Sequence, residues 1–285
     1  MKRVFAILLA MVMMFSLVAC ADDIHMYPET LKYVSYQLKD VDKVDYVICV
    51  SKQAKDGQKL VDKMNEIIAK EGDDIVKAFK NGVRSTDYNY AGRDLFIALN
   101  DFRDEGKEAV RIFAQVYNPY NYSGYGGAYA DGIDIIICEK ALVEMEKSQT
   151  FAERSLSYAY EQVKSGKGDV LLSAIALTEQ VKADFLTTNV YNSGFQKVVC
   201  MNNLKLDEVK DFAGLTVGVI AGRHSEKVLK EAVESGVLKN KETTIIVYET
   251  DTEAKTALMN QHVHAIVMDD LAADYIVGVM NASRQ

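Results

Sequence analysis

Two short segments carry the side chains best suited to hold a charged small molecule. Gly222-Arg223-His224-Ser225 stands directly before a helical stretch that is predicted to begin at Glu226. Backbone N–H groups at a helix N-terminus attract anions, and the arginine would add a positive charge. A plain helix cap by Ser225 is the alternative. The second segment ends in Asp269, which follows a buried apolar run and therefore needs a partner or solvent; the adjacent Asp270 could share this role.

A third candidate is a tyrosine-rich segment. Its tyrosines fall within thirteen residues and are interleaved with three glycines; they are Tyr117, Tyr120, Tyr122, Tyr125 and Tyr129. Tyrosine rings can stack on a ligand and offer hydroxyl groups, while glycines let the chain bend. A partly buried aromatic loop explains the pattern equally well.

Other reactive side chains do not assemble into a recognisable site. His262 and His264 face the same side of a predicted strand, but no cysteine or carboxylate cluster completes a metal site with them. We therefore predict no metal and no other cofactor. No nucleophile–base arrangement, phosphate loop or carboxylate pair stands out either, so we predict that the protein is not an enzyme.

The elements that would position these side chains alternate along the chain. Apolar and β-branched runs predict strands at 44–50, 110–116, 169–176, 216–220, 243–248 and 264–268. Apolar residues at helical spacing predict helices at 56–80, 94–102, 226–235 and 252–261. Such alternation is typical of an α/β fold with largely parallel sheets.

Composition limits the classes of function. The 285 residues carry 41 acidic against 33 basic side chains, which argues against binding to nucleic acid. The length allows one large or two medium domains with a substantial core. Cys49, Cys138 and Cys200 lie in or beside apolar runs without disulfide or metal spacing, so we predict that they are buried as small hydrophobic residues.

The first twenty residues predict export. Met1-Lys2-Arg3 precedes an apolar run of signal-peptide length, which ends in Leu17-Val18-Ala19-Cys20. This ending resembles the bacterial lipobox. The resemblance implies that residues 1–19 are removed and that Cys20 is acylated, for example with palmitate. The protein would then be extracytoplasmic and held to the membrane only by its lipid. A signal peptide with a chance cysteine is the alternative.

From residue 168 onward the motifs resemble those of the type II periplasmic solute-binding proteins, in the branch that binds polar amino acids. They occur in the family's order, in the segments 168–179, 203–222, 248–258 and 265–269. Upstream, Asn118-Pro-Tyr-Asn-Tyr122 and Gly132-Ile-Asp134 are similar to two further family motifs. The resemblance implies two α/β lobes that close on a ligand in the cleft between them.

The order of the segments suggests a circular permutation. The family's last strand and helices are missing after residue 275, whereas residues 46–80 resemble them. The first lobe is accordingly predicted at 45–188, composed of a permuted segment 45–82, a connection 83–107 and a segment 108–188. Residues 189–285 form the second lobe. Residues 20–44 carry the lipidated cysteine and a tether, which could complete the second lobe's edge. An unrelated helical insertion before a truncated binding fold is the alternative.

The resemblance assigns ligand contacts to Tyr120, Tyr122, Ala174, Ala176, Thr178, Arg223, His224 and Asp269. In the family, the carboxylate at the position of Asp269 faces the ligand's ammonium group. Ala174 and Ala176 replace hydroxyl-bearing residues, and Val181 replaces the arginine that clamps the ligand carboxylate. Arg223 is the candidate to replace that clamp, while Thr178 could serve only as a helix cap.

The function implied is that of the binding protein of an ABC importer, a monomer that binds a small polar solute such as an amino acid or amine. Its partners would be that solute and a membrane permease. Two alternatives stay open. A sensory or degenerate relative is favoured by the missing clamp. An enzyme similar to the cyclohexadienyl dehydratases would need an acid in the cleft, for which Glu179 is the one candidate.

Overall fold

The computed structural model describes residues 31–84, 108–123, 130–238 and 242–283. The strands, β1 to β13, are Tyr33–Gln37, Val44–Ser51, Ala109–Ala114, Tyr122–Ser123, Ala130–Asp131, Ser148–Glu153, Val170–Ala176, Phe185–Thr187, Asn192–Gly194, Gln196–Met201, Thr216–Ile220, Thr244–Tyr248 and Ala265–Asp269. The helices, α1 to α7, are Gly57–Arg84, Ile133–Glu144, Leu156–Lys164, Glu179–Asp184, His224–Glu234, Asp251–Met259 and Asp270–Ala282. The predicted signal peptide and the predicted helix at 94–102 lie outside the described residues.

The first sheet has the strand order β6-β3-β7-β2-β8, and β9 also pairs with β2. The burial of strand β2 explains why its residues 46–50 are all apolar or aromatic. Tyr46 and Ile48 face the core beneath α1 and α2, while Val47 and Cys49 face the core beneath α3. A strand that is buried on both faces has no polar side to present, so its apolar run is continuous.

The second sheet has the order β1-β10-β13-β11-β12. Both sheets are mixed, because β3 is parallel to β6 and β7, and β11 is parallel to β12 and β13, whereas β2 and β10 are antiparallel to their neighbours. The prediction of largely parallel sheets is therefore wrong for these two strands. A strand buried on both faces has the same apolar pattern in either direction, so its sequence does not reveal its direction.

Within the described ranges, the chain passes from one sheet to the other at two neighbouring places. Residues 38–43 connect β1 to β2, and Phe195 connects β9 to β10. The amide of Leu38 donates to the carbonyl oxygen of Gln196 at 2.9 Å, so the two connections lie side by side. The described strands thus divide between the sheets at Phe195 rather than at the predicted boundary of 188 and 189, because β9 continues the pairing of β2.

Two features bear on the order of the segments. Strand β2 lies in one sheet with β3, from which only β7 separates it. In addition, Tyr33 at the start of β1 meets Asn281 near the end of α7. The Tyr33 amide donates to Asn281 Oδ1, and Asn281 Nδ2 donates to the Tyr33 carbonyl oxygen, both at 2.9 Å. The first and last elements of the described fold are therefore adjacent, and β1, within the predicted tether, forms an edge of the second sheet.

The prediction for the cysteines is confirmed. Cys49, Cys138 and Cys200 are free thiols that are fully buried among apolar side chains. Within the described ranges, no helix is both long and apolar enough to span a membrane.

Candidate functional site

A cleft of about 440 Å³ lies between the two sheets. Apolar side chains of the first lobe form one wall, including Leu156, Tyr160, Ile175, Ala176 and Val181. The opposite wall belongs to the second lobe and carries charged or polar groups, namely Arg223, His224, Lys227 and Asp269. The cleft thus brings together most of the residues that the sequence predicts as ligand contacts: Ala174, Ala176, Thr178, Arg223, His224 and Asp269.

Asp269 ends the central strand β13 and is 2% exposed. Its Oδ2 accepts from the Tyr117 hydroxyl at 2.7 Å, and its Oδ1 accepts from Gln196 Nε2 at 2.6 Å and from the Tyr46 hydroxyl. Burial, together with the Asp269 carboxylate, raises the pKa of Tyr46 and Tyr117, so both hydroxyls keep their protons and donate. We call these four residues the aspartate cluster.

Arg223 stands at the N-cap position of α5 and is 4% exposed. Its guanidinium carbon lies 3.6 Å from the centroid of the Tyr117 ring, in stacking contact. Nη2 donates to Gln115 Oε1 at 2.8 Å, and Nη1 donates to the Ser173 carbonyl oxygen. The guanidinium is buried, yet its Nε has no hydrogen-bond partner.

The first turn of α5 adds further donors beside this guanidinium. The helix begins at His224, two residues before the predicted start, so His224 and Ser225 belong to its first turn, where backbone amides have no acceptor within the helix. The Ser225 hydroxyl is buried without a partner and makes no cap, so the alternative of a Ser225 cap is wrong. Burial lowers the pKa of His224, which favours its neutral form. We call Arg223 with this first turn the arginine site.

The carbonyl group that Arg223 contacts is presented by a bulge in β7. Cys49 pairs with Leu171 and Val47 pairs with Ile175, so two steps along β2 face four steps along β7. Within the bulge Ser173 and Ala174 have φ angles of 115° and 49°, which non-glycine residues rarely adopt.

Asp134 holds this bulge in place. Its Oδ2 accepts from the amides of Ser173 at 2.7 Å and Ala174 at 2.9 Å. Burial raises the pKa of Asp134 to about 6. Gly132 allows the close packing that brings Asp134 here, because its φ is 126° and an added Cβ would lie 2.4 Å from the Tyr120 carbonyl oxygen.

Three predicted residues have other placements. Tyr120 is fully buried, stacks on Tyr117 at 5.9 Å between ring centroids, and does not line the cleft; Tyr117 makes the contacts with Arg223 and Asp269. Strand β4 includes Tyr122, whose side chain lies outside the described part of the structure, so the prediction for it stays untested. Glu179, the acid named for the enzyme alternative, does not line the cleft, and its side chain is 91% exposed.

Thr178 occupies both of its predicted places. Its Oγ1 accepts from the Val181 amide at 3.2 Å and caps α4, and the residue also lines the cleft. His264, by contrast, extends the contact between β13 and β11, because its Nδ1 accepts from the Thr216 amide at 2.9 Å. Among the described residues no group of three or more histidine, cysteine or carboxylate side chains is arranged to hold a metal ion.

Sequence reasoning missed the partners of the two charged groups. Tyr46 gives no signal, since it continues an apolar run, and Tyr117 was one of five tyrosines without a distinguishing feature. Gln115 and Gln196 give a weak signal, because each is a polar residue beside an apolar run and both are buried. A buried amide side chain needs hydrogen-bond partners, and here it finds them across the cleft or the sheet.

Comparisons with known proteins agree with this architecture. A family model described as NMT1/THI5 like matches residues 161–273. An ancestral arginine-binding protein bound to arginine has a TM-score of 0.53 at 21% identity, covering 59% of this chain and 72% of its own. The ancestral amino acid-binding protein AncCDT-1, a precursor of cyclohexadienyl dehydratase, has a TM-score of 0.52 at 21% identity. The match covers 64% of this chain and 77% of that protein.

A third structure, the substrate binding protein of an amino acid ABC transporter, has a TM-score of 0.52 at 19% identity, covering 61% of this chain and 75% of its own. No curated protein matches the sequence. Identities this low show the fold alone. The predicted fold class is confirmed, because the chain forms a mixed α/β structure with two sheets that matches the structures of amino-acid-binding proteins.

Proposed function

We propose that this protein binds a small solute in the cleft between its sheets and delivers it to an ABC importer. The observation that carries the proposal is a cleft walled by both lobes, whose two chain connections within the described residues lie side by side. Helices α1 and α7 also pack against each other across the lobes, away from the cleft lining. Connections on one side leave the other side free to open and close by a hinge motion. The arginine- and amino-acid-binding structures that share the fold support the same function.

Some of the contacts that join the lobes are hydrogen bonds made by groups that line or border the cleft. Arg223 of the second lobe donates to Ser173 and Gln115 of the first, and Gln115 Nε2 donates in turn to the Glu249 carbonyl oxygen of the second lobe. Opening the cleft must break these bonds. A solute that replaces them with its own would therefore couple binding to closure.

A polar solute such as an amino acid or amine is the ligand class that the sequence predicts, with Asp269 binding the ammonium group. The contacts would come from Asp269, from Arg223 and from the backbone at Ala174 and Ala176. No basic side chain of the described ranges pairs with Asp269, which supports this assignment. The three donors that its carboxylate already has count against it.

The test of the function is a thermal-shift screen of the full-length protein, purified in mild detergent, against amino acids, amines, small peptides and organic acids. A solute that binds the native state raises the melting temperature by mass action, by an amount that grows with its concentration. No shift across the whole panel would contradict solute binding and favour the sensory or degenerate alternative. Formation of a product during incubation would favour an enzyme.

The same screen tests the predicted role of Asp269. If Asp269 binds the ammonium group, the variant Asp269→Asn should abolish any shift that an amine causes in the unmodified protein. An unchanged shift would exclude Asp269 from contact with the ligand.

The location follows from the lipobox resemblance. We propose that residues 1–19 are removed, that acylated Cys20 anchors the protein outside the cytoplasmic membrane, and that it acts there as a monomer. A single acyl chain binds a membrane only marginally, and stable anchoring takes two. The unmodified protein should therefore incorporate labelled palmitate, and the variant Cys20→Ala should not; equal incorporation by the two proteins would contradict the anchor.

We also propose the circular permutation, with lobes that divide at Phe195. The shared sheet of β2 and β3 and the hydrogen bonds between Tyr33 and Asn281 support it, since neighbouring ends make such a rearrangement tolerable. Restoring the family's order, with residues 31–84 placed after residue 283 through a short flexible linker, should give a folded protein that binds the same solute. Failure to fold would contradict the permutation.

A further inference from the structure

We infer that the cleft selects a monoanionic solute with an apolar body and no ammonium group, such as a hydrophobic carboxylate, bound head-first at the arginine site. This inference rests on the proposed solute-binding function and names the class of solute for the same cleft. It departs from the amine or amino acid that the sequence predicts.

The first support is a buried positive charge without a counterion. The Arg223 guanidinium is held by a carbonyl oxygen, an amide oxygen and the face of a tyrosine ring, which are all neutral. No carboxylate in the described part of the chain lies within ion-pair distance of it; Asp134 and Asp251 act on it only at longer range. Since a buried charge is costly unless it is paired, an anion at this position would complete the site.

The second support is a set of donors beside that charge. The buried Arg223 Nε and the Ser225 hydroxyl have no hydrogen-bond partners, and the amides of His224 and Ser225 open a helix of eleven residues. The one carboxylate of this turn, Glu226, is already engaged, because it accepts from the Gly222 amide at 2.7 Å and from Lys230 Nζ at 2.5 Å. Amides at a helix start suit a carboxylate group.

The third support is the opposite wall. Leu156, Tyr160, Ile175 and Val181 offer a surface without charge to the body of the solute. Ser157, Thr178 and Gln180 also line the cleft on this side, and its one charged lining residue among those described, Glu161, is exposed. An apolar body against such a wall gains the free energy of leaving water, while a strongly polar body would lose hydration without compensation.

The fourth support concerns the ammonium group. Asp269 is the one buried carboxylate on the cleft wall within the described ranges, and its oxygens accept from Tyr46, Tyr117 and Gln196. These three donors take most of the roughly four acceptor positions of a carboxylate, so an ammonium group would find at most one of them free. To gain more it would have to displace a donor and leave a buried hydroxyl or amide without a partner. The aspartate cluster therefore disfavours an amine rather than recruiting one.

The test uses four probes with one phenylalkyl body and different head groups: 3-phenylpropanoate, 3-phenylpropanamide, 2-phenylethylamine and phenylalanine. Calorimetric titration of the full-length protein should show that 3-phenylpropanoate binds at least about tenfold more tightly than each of the other three. The amide lacks the charge-assisted contact with Arg223, and the two ammonium compounds bring a group that the occupied Asp269 carboxylate accommodates poorly. Tighter binding of phenylalanine or the amine would overturn the inference and leave the proposed function intact. If none of the four binds, the inference is overturned, and the wider thermal-shift panel decides the proposed function separately.

The variant Arg223→Gln tests whether the guanidinium causes the preference for the carboxylate over the amide. Arg223→Gln should bind 3-phenylpropanoate and the amide with equal affinity, because it keeps hydrogen-bond donors and loses the charge. The control Arg154→Gln makes the same exchange at an exposed arginine that does not line the cleft, and it should retain the preference. Retained preference in Arg223→Gln would overturn the assignment, and the four-probe comparison on the unmodified protein stands even if this variant does not fold.

Discussion

The aspartate cluster and the arginine site place opposite charges on the same wall of one cleft, and both charges are almost fully buried. They differ in how completely they are compensated. Three donors surround Asp269, two of which come from the other lobe, whereas Arg223 has only neutral acceptors and keeps one N–H without a partner. A buried charge with full compensation stabilises a structure, and one without it costs free energy that a ligand can recover. The comparison therefore separates a structural charge from a binding charge.

The largest expected effect comes from removing the structural charge. Asp269→Ala leaves two hydroxyls and an amide buried without an acceptor, so we expect it to lower the free energy of unfolding by about 3–5 kcal/mol. Urea denaturation followed by circular dichroism measures this. As a control, Asp274→Ala removes a carboxylate that pairs with Lys197, and the side chains of both residues are 20% exposed. This variant should lower the free energy of unfolding much less than Asp269→Ala does. Equal losses for the two variants would end the distinction.

Asp134 provides an intermediate case, because one of its oxygens accepts two amides while burial disfavours its charge. Its pKa is raised from 3.8 to about 6, so between these pH values the folded protein keeps a proton that the unfolded chain has lost. The contribution of Asp134 to stability is therefore present below pH 4, falls as the pH rises to 6, and then stays constant, a total change of about 3 kcal/mol.

The measurement for Asp134 is the difference in unfolding free energy between the unmodified protein and Asp134→Asn at several pH values from 4 to 7. As the pH rises, the unmodified protein should lose about 3 kcal/mol of unfolding free energy relative to Asp134→Asn. A difference that is independent of pH would show that the carboxylate is already ionised at pH 4 and is compensated as fully as Asp269.

A smaller effect is expected from single hydroxyls of the aspartate cluster. Tyr46→Phe and Tyr117→Phe each remove one donor from Asp269, at a cost of about 1–2 kcal/mol in denaturation experiments. Tyr117→Phe keeps the ring on which Arg223 stacks, so it should leave solute affinity at the arginine site unchanged. A loss of affinity equal to that of Arg223→Gln would show that the two sites act as one.

The smallest effect on stability is expected at the binding charge itself. Without solute, Arg223→Gln should change the free energy of unfolding by less than about 1 kcal/mol, because removal of an uncompensated buried charge offsets the lost hydrogen bonds. Denaturation under the conditions used for Asp269→Ala gives the direct comparison. A loss above about 2 kcal/mol would make Arg223 a structural residue and remove the contrast.

Much of the fold could be predicted from the sequence, since burial leaves a periodic trace. The strand Thr216–Ile220 has its predicted bounds, and the apolar spacing from Leu60 to Ile75 predicts the buried face of α1. Strand direction leaves no such trace. Nor does the bulge at Ser173 and Ala174, because neither residue is a glycine that would announce a positive φ angle.

The site was predictable in its charges but not in their partners. Arg223 and Asp269 stand out because a charge beside a helix start or after a buried strand needs an explanation. The partners of Asp269 are distant in sequence, 223 residues away for Tyr46 and 152 for Tyr117. Contacts of this kind arise only when the lobes come together, so no local pattern records them. The difference between a satisfied and an unsatisfied charge is likewise a property of the folded molecule.

The tyrosines around the cleft also give the molecule an optical property. The chain contains 16 tyrosines and no tryptophan, so tyrosine fluorescence is not quenched by energy transfer to an indole ring. Tyr46, Tyr117 and Tyr191 each lie within 6.5 Å of Tyr120, measured between ring centroids, and Tyr117 also touches the Arg223 guanidinium. Any event that moves Arg223 changes the surroundings of this group of fluorophores. Ultraviolet fluorescence of the unlabelled protein therefore reports on its own cleft.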